Sequence, residues 1–262
     1  MSENAFRWLD NKQCAVSLTY DDGLPIQPSY TAPSLTEAGL RATFYLELDN
    51  LNVEIIPRWR EAAASGHELG NHTIFHSCRK TAKRPWVMDW MDWAQYTPDR
   101  FRAEMEVVNT CLHLLDGKTE RTYGNTCCDT TIGSGENEIQ MDELLRPYFV
   151  AARGPQNEKI AQPADGINLM QIGHFSGDVT TRPVSAVKAL IEQSAQSGGW
   201  IVFNFHGIGK ETHPLHMEKS AHEELVAWLK ARQDQYWIAP LIDIAKYVRN
   251  YSSPLQEVAG EN

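Results

Sequence analysis

The sequence predicts a parallel α/β fold, and three observations support this prediction. Short apolar segments typical of buried strands alternate with amphipathic segments typical of helices along most of the chain. Polar residues directly follow several of the apolar segments, as they do at the carboxyl ends of strands in parallel barrels. The chain has 262 residues, 42% of them hydrophobic, which suits a single domain with a packed core. These patterns fit both a (β/α) barrel and a doubly wound sheet.

The first half of the chain contains three apolar strands and three helices. The strands are expected at 14–19, 42–46 and 67–70. The first two helices, at 29–38 and 56–65, are each followed by a glycine, the residue that most often ends a helix. Thr97 as N-cap and Pro98 at the first helical position begin the third helix. Its apolar stripe comprises Phe101, Met105, Val108, Leu112 and Leu115.

The second half continues the alternation of strands and helices. Runs rich in β-branched and aromatic residues predict strands at 121–124, 148–152, 167–172, 200–205 and 236–239. Amphipathic periodicity predicts helices at 184–196, 218–232 and 241–251. We therefore expect a single domain over residues 1–251, with a Trp-rich insertion over 77–98 and a flexible tail over 252–262.

Composition limits the class of partner and the compartment. A net charge of −10 argues against nucleic acid and anionic membranes as partners. The sequence has no run of eighteen apolar residues and no signal-peptide pattern at its start. The five cysteines lack zinc-type CxxC spacing, and Cys127 and Cys128 are adjacent. We expect reduced thiols and a cytoplasmic protein, or an exported one if a leader has been trimmed. Oligomeric state leaves no signal in the sequence.

Two adjacent carboxylates end the first expected strand. Asp21 and Asp22 follow the apolar run 14–19 and precede Gly23. Neighbouring residues on an extended segment point to opposite faces, so one carboxylate can bind a cation while the other acts as a base. An ordinary Asp-Gly turn is the alternative interpretation.

Two histidines four residues apart follow the third expected strand. If the local backbone is helical, His72 and His76 lie on one face, within reach of a single ion. Two imidazoles and one carboxylate leave positions open for water, which is typical of a catalytic metal site rather than a closed structural one.

Together these segments resemble a known family. Thr19–Gly23 is similar to the Thr-Phe-Asp-Asp-Gly motif of the polysaccharide deacetylases (carbohydrate esterase family 4, the NodB-like domain). The segment His72–His76 fits the family's His-Ser/Thr-x-x-His motif, and His206 ends a strand where the family has a catalytic histidine. The resemblance extends from residue 14 to about 249. It implies a distorted (β/α) barrel of about seven parallel strands.

The resemblance also implies roles for individual residues. Asp21 corresponds to the catalytic base and Asp22 to a metal ligand, with His72 and His76 as the other two ligands. The expected ion is Zn²⁺, for which other divalent ions can substitute. His206 corresponds to the acid that protonates the leaving group.

The chain departs from the family pattern in three places. The family's Arg-x-Pro-Tyr motif has no proline here, where Arg121 and Tyr123 stand, and Tyr123 is carried over as a substrate-binding backbone donor. The Asp-x-x-Asp-Trp element is missing, and Arg153 in its region is the candidate charge that orients Asp21. An ordinary strand-end ion pair is the alternative for Arg153. Asn204 replaces the leucine of Leu-x-His, which predicts a more polar acetyl pocket.

The insertion is rich in tryptophan. Trp86, Trp90 and Trp93 have the helical spacing i, i+4, i+7. They can form a core-facing stripe, or they can bind substrate by stacking on sugar faces at the rim of a cleft.

The resulting functional hypothesis is a metal-dependent hydrolase that removes acetyl groups from an N- or O-acetylated saccharide. The departures from the family pattern leave two alternatives. One is a hydrolase of a small cyclic amide, imide or ureide, and the other is a non-catalytic sugar-binding barrel.

Overall fold

The structure is a computed structural model that describes residues 6–178 and 182–252. Its strands are β1 (Cys14–Tyr20), β2 (Thr43–Leu46), β3 (Glu68–Asn71), β4 (Thr122–Gly124), β5 (Thr131–Ile132), β6 (Ile139–Gln140), β7 (Ala151–Arg153), β8 (Phe175–Ser176), β9 (Trp200–Phe205), β10 (Gly207–Ile208), β11 (His216–Met217) and β12 (Tyr236–Ile238). Its α-helices are α1 (Ala32–Glu37), α2 (Ile56–Ala64), α3 (Pro98–Asp116), α4 (Met141–Leu145), α5 (Val184–Ser197), α6 (Lys219–Lys230) and α7 (Leu241–Ser252). Residues 253–262 of the expected tail lie outside the described residues, and the domain boundaries stay a prediction.

One parallel sheet organises the molecule. Seven strands follow the spatial order β7-β4-β3-β2-β1-β9-β8. β1 is central and wholly buried, because its apolar sequence is covered on both faces. β2 pairs with its carboxyl-terminal end, and β12 pairs with the amino-terminal part. The sheet curves into a half-barrel flanked by helices, so the prediction of a distorted barrel of about seven parallel strands is confirmed.

Tyr45 fills the interior of the half-barrel. Its side chain is fully buried and lies against two glycines on neighbouring strands, Gly70 and Gly124. A Cβ at either position would come within 2.5 or 2.7 Å of the Tyr45 ring. The Arg153 guanidinium lies over the same ring, 4.9 Å from its centre. Both glycines are therefore required for the packing beside Arg153.

The strand expected at 167–172 is not formed. Asn168 makes a turn in this segment, because its side chain accepts a hydrogen bond from the Met170 N–H at 3.1 Å and its carbonyl accepts one from Gln171 at 3.0 Å. The strand that pairs with β9 is instead β8, which begins at Phe175. By contrast, α3 begins as expected, since the Thr97 side chain accepts from the Arg100 N–H.

The Trp-rich insertion is a loop tied down at several points. It contains two short 3₁₀ turns, at Asp89–Met91 and Trp93–Gln95, so the helical stripe of tryptophans is not formed. Cys78 forms a disulfide with Cys127, and the prediction of reduced thiols is therefore wrong for these two residues. A salt bridge of 2.8 Å from Arg84 to the Asp129 carboxylate holds the same two segments together. The free cysteines are Cys14, Cys111 and Cys128.

No helix within residues 6–178 and 182–252 combines the length and the apolar character needed to cross a bilayer.

Candidate active site

Side chains of catalytic type converge at the carboxyl ends of the parallel strands. Asp21 and Asp22 follow β1, His72 follows β3, His206 follows β9, and Arg153 is the last residue of β7. The carboxyl ends of parallel strands meet at one edge of a barrel, so these distant parts of the sequence share one site.

A cavity of about 670 Å³ opens at this edge, a volume typical of small-molecule sites. Its floor includes both aspartates and His206, and His76 lies on one side. The loops after β1, β2, β4 and β7, the end of β9, the insertion and the loop between β10 and β11 form its walls. They contribute Leu24, Glu47, Asn50, Arg84, Trp86, Asn125, Cys127, Cys128, Gln156, Asn204, His213, Pro214 and Leu215.

Asp21 is fixed by a bidentate ion pair with Arg153. The two guanidinium nitrogens donate to Oδ1 at 2.7 Å and to Oδ2 at 2.6 Å, and one of them also donates to the Thr19 hydroxyl. Both partners are buried. Burial alone would raise the pKa of Asp21, but the charge and hydrogen bonds of Arg153, together with His72, lower it to about 2. Asp21 is therefore an ionised carboxylate with one fixed orientation.

Replacing Arg153 with methionine is expected to lower the free energy of unfolding by about 3–5 kcal/mol, because Asp21 is left buried without its counter-ion. Urea unfolding monitored by circular dichroism measures the loss. Arg102→Met is the matched control, since Arg102 pairs with Asp99 at the exposed start of α3, and an exposed pair contributes at most about 1 kcal/mol. Equal losses in the two variants would contradict this account.

Asp22, His72 and His76 form a group that can hold a divalent ion. Asp22 Oδ1 lies 3.4 Å from His72 Nε2 and 3.4 Å from His76 Nε2. Ligands about 2.0–2.2 Å from a tetrahedral ion lie roughly 3.3–3.6 Å from one another. Asp22 Oδ1 and His72 Nε2 are also buried without a hydrogen-bond partner among the described residues, and such atoms require an explanation. The three residues fit a small cation such as Zn²⁺.

A hydrogen bond and the local backbone conformation set the orientation of these ligands. His72 Nδ1 donates to the Gly124 carbonyl at 2.8 Å, which leaves the lone pair of Nε2 facing Asp22. The backbone of Asp22 has φ 75° and that of His76 has φ 52°, both in the left-handed region. The segment from His72 to His76 bends instead of forming a helical turn, so the helical condition stated from the sequence is not met. Left-handed residues of this kind concentrate at functional sites.

His206 is held by Asp178. Its Nδ1 lies 2.9 Å from Asp178 Oδ2, and its backbone N–H donates to Oδ1 at 3.2 Å. Burial alone would lower the pKa of His206, but the hydrogen bond to Asp178 and the charges of Asp22 and Asp21 raise it to about 9. At neutral pH the ring therefore carries a proton beside the cavity.

Asp178→Asn is expected to move the basic limb of the pH–rate profile to lower pH. An acid must be protonated to act, so activity is lost as pH rises through the pKa of His206. Removal of the Asp178 charge lowers that pKa, and the loss then begins at a lower pH. Rates measured from pH 6 to 10 test this shift, with Asp99→Asn on the exposed start of α3 as control. An unchanged basic limb would mean that another group supplies the proton.

The three tryptophans occupy different environments. Trp86 is half-exposed at the cavity, with its ring 5.6 Å from the His76 ring. Trp90 is also exposed but packs edge-on against Phe75 and does not line the cavity. Trp93 is fully buried in the core, the environment that the packing alternative expected.

The segment that resembles the family's third motif lies mainly in the core. Tyr123 is fully buried, its ring packs 5.4 Å from Phe149, and it is not among the residues that line the cavity. Arg121 forms a buried pair with Asp116 at 2.6 Å. Asn204 does line the cavity, in keeping with a more polar wall.

Sequence reasoning missed three residues of this site. Asp178 follows β8, and no sequence motif marks it as a site residue. Glu47 follows β2 directly, a signal equal to that of Asp21, and burial with the charge of Asp22 raises its pKa to about 8. His213 also lines the cavity. No spacing in the sequence identifies it.

At the carboxyl edge of this half-barrel, a carboxylate and two imidazoles lie at ligand distances beside an ion-paired carboxylate. The family model described as polysaccharide deacetylase matches residues 9–126. The resemblance recognised in the sequence is confirmed: the chain is similar to carbohydrate esterase family 4 in these residues and in its fold.

Three known proteins illustrate the similarity. A putative polysaccharide deacetylase from Mycobacterium smegmatis is 15% identical, with 94% of each chain covered and a TM-score of 0.61. A family 4 acetyl xylan esterase from Clostridium thermocellum, solved with a cobalt ion, is 18% identical, with 89% of this chain and 91% of that chain covered and a TM-score of 0.52. A gellan lyase from a Bacillus species is 23% identical over 92% of this chain, which spans only 10% of that protein. At these identities the solved structures establish the fold alone.

Proposed function

We propose that the protein is a metal-dependent hydrolase that removes acetyl groups from an N- or O-acetylated saccharide. The observation that carries the proposal is that Asp22, His72 and His76 lie at ligand distances from one another beside Asp21. This group borders a cavity that His206 also lines. The fit to the polysaccharide deacetylase model supports the same reaction class.

The proposed roles follow from the charges of the side chains. Asp22, His72 and His76 would hold the divalent ion, which supplies Lewis acidity and acidifies water when bound. Asp21 is the base that accepts the proton of the attacking water. Its low pKa makes it a weak base, so the proton donor must itself be acidified.

The other residues orient the reacting groups and deliver a proton. Arg153 keeps Asp21 ionised and fixed in one orientation. His206 carries a proton at neutral pH and can transfer it to the departing amine or alkoxide. Asp178 holds the His206 ring through Nδ1, which leaves Nε2 for the leaving group.

Acetate release tests the proposal directly. The purified protein, with and without chelator, is incubated with chitooligosaccharides and acetylated xylan, and acetate is quantified. We expect release that chelator abolishes and added Zn²⁺ restores. No release from any acetylated sugar by protein with a full complement of metal would refute it. Turnover of a cyclic ureide or imide instead would favour the small-amide hydrolase, and glycan binding without turnover would favour the sugar-binding barrel.

Trp86→Ala is expected to raise KM about 2- to 13-fold with little change in kcat. The estimate corresponds to the loss of one aromatic contact of about 0.5–1.5 kcal/mol. Trp86 lies at the cavity rim and its removal leaves no hole in the core. Trp90→Ala tests whether the binding surface extends to the neighbouring exposed ring. Trp93→Ala is the contrasting variant, since the loss of a buried tryptophan costs about 3–5 kcal/mol of stability. A fall in melting temperature for Trp86→Ala as large as that for Trp93→Ala would contradict the stacking role.

A further inference from the structure

We propose that His213 is a positioning residue for the metal ligand Asp22. Its imidazole lies beside Oδ2 of the Asp22 carboxylate, while Oδ1 faces His72 and His76. The inference rests on the proposed function, because it concerns the ion that those three residues would hold.

The contacts of Asp22 separate its two oxygens. Oδ1 lies 3.4 Å from the Nε2 atoms of both His72 and His76. Oδ2 lies on the other side, 3.8 Å from His213 Nε2. At 3.8 Å the two atoms are neighbours but too far apart for a direct hydrogen bond. In this position Asp22 can offer Oδ1 to a cation, while Oδ2 faces His213 in the cavity wall.

The loop between β10 and β11 fixes the His213 ring. β10 and β11 pair in parallel, with Gly207 opposite His216, and this closes the loop at its base. The Leu215 N–H donates to His213 Nδ1 at 3.1 Å, and the Leu215 carbonyl lies 2.9 Å from the same nitrogen. Both contacts engage Nδ1, so that edge of the ring is held by the Leu215 backbone. Nε2 is then the ring nitrogen that faces Asp22.

The ring is also held from one side by His206. The two imidazoles stack with an interplanar angle of 11° and their centres 5.3 Å apart. Because Asp178 fixes the His206 ring, the stacked His213 ring is restricted in position as well. Two independent contacts, the Leu215 backbone and the His206 ring, therefore set the orientation of the His213 ring.

His213 is not part of the ligand group itself. Among the described residues, the atoms that lie within 4.8 Å of one another at this site belong to Asp22, His72 and His76. Groups that orient metal ligands from outside typically change metal affinity or activity by about 10–100-fold when they are removed. That range sets the expected effect of losing the His213 imidazole.

Zinc affinity, measured independently of catalysis, tests the inference. The dissociation constant for Zn²⁺ is determined by competition with a chromophoric chelator for the full chain and for His213→Ala, His213→Gln and His113→Ala. We expect His213→Ala to bind Zn²⁺ about 10–100-fold more weakly. His213→Gln should recover part of the loss, because its amide N–H can face the same oxygen. His113→Ala removes an exposed helical histidine and should leave the affinity unchanged.

Two results would overturn the inference. Equal affinities for the wild type and both His213 variants would show that His213 does not act on Asp22. A complete loss of bound metal in both variants would make His213 a ligand instead of a positioning residue. The proposed function fails separately, if the wild-type protein binds no Zn²⁺ at all. Circular dichroism of each variant establishes that it is folded, and His213→Gln serves as the test if His213→Ala does not fold.

Discussion

Asp21→Asn is expected to lower the rate of acetate release by about 10²–10⁴-fold, the usual contribution of a general base. Asparagine has nearly the shape of aspartate but cannot accept the proton of the attacking water. Its amide oxygen can still accept one of the two hydrogen bonds from Arg153, so the fold should persist at a lower melting temperature. Substrate binding and metal content should be retained.

The measurements for this variant are kcat, metal per chain and the pH–rate profile. The acidic limb should no longer report residue 21. Asp22→Asn is the matched control: it removes the neighbouring carboxylate and should lose metal as well as activity. Loss of metal from Asp21→Asn would instead mean that Asp21 is the metal ligand and Asp22 the base. Full activity in Asp21→Asn would mean that the water is activated without this carboxylate.

His76→Ala is expected to abolish metal binding and activity together. The substitution leaves Asp22 and His72 as the only members of the ligand group, and two ligands rarely hold a catalytic ion. His76 is more accessible than His72 and belongs to a loop, so its removal should change the fold little. Activity loss without loss of stability would distinguish this variant from Arg153→Met.

Elemental analysis after gel filtration measures metal per chain for His76→Ala, with His113→Ala as the control for adventitious binding to exposed histidine. A full complement of metal in His76→Ala would show that the ligand set is wrong. Normal acetate release by metal-free protein would reject metal dependence itself.

The sequence was sufficient to predict the parts of the fold that depend on local patterns. The apolar run of β1, the glycines after the first helices and the Thr97 N-cap each specify structure within a few residues. The carboxyl ends of parallel strands meet at one edge of the sheet, so the residues that follow them lie close together. For this reason the sequence alone predicts that Asp21, Asp22 and His206 share one site.

Long-range partners could not be predicted in the same way. The Cys78–Cys127 disulfide joins two loops whose approach depends on how the insertion folds back, and no spacing encodes that. Asp178 belongs to no motif, and its contact with His206, 28 residues along the chain, becomes visible only in the fold. His213 depends on the short pairing of β10 with β11, which is too brief to leave a periodic signal.

The ion pair between Asp21 and Arg153 joins β1 to β7, which is at the far edge of the sheet with three strands between them. The ion pair therefore links these two strands across the concave side of the half-barrel. A thermal motion that flattens the sheet must separate Asp21 from Arg153 before it breaks the backbone hydrogen bonds between neighbouring strands. We therefore expect warming to disturb Asp21, the proposed base, before the helices unfold, so that activity is lost at a lower temperature than the helical circular dichroism signal.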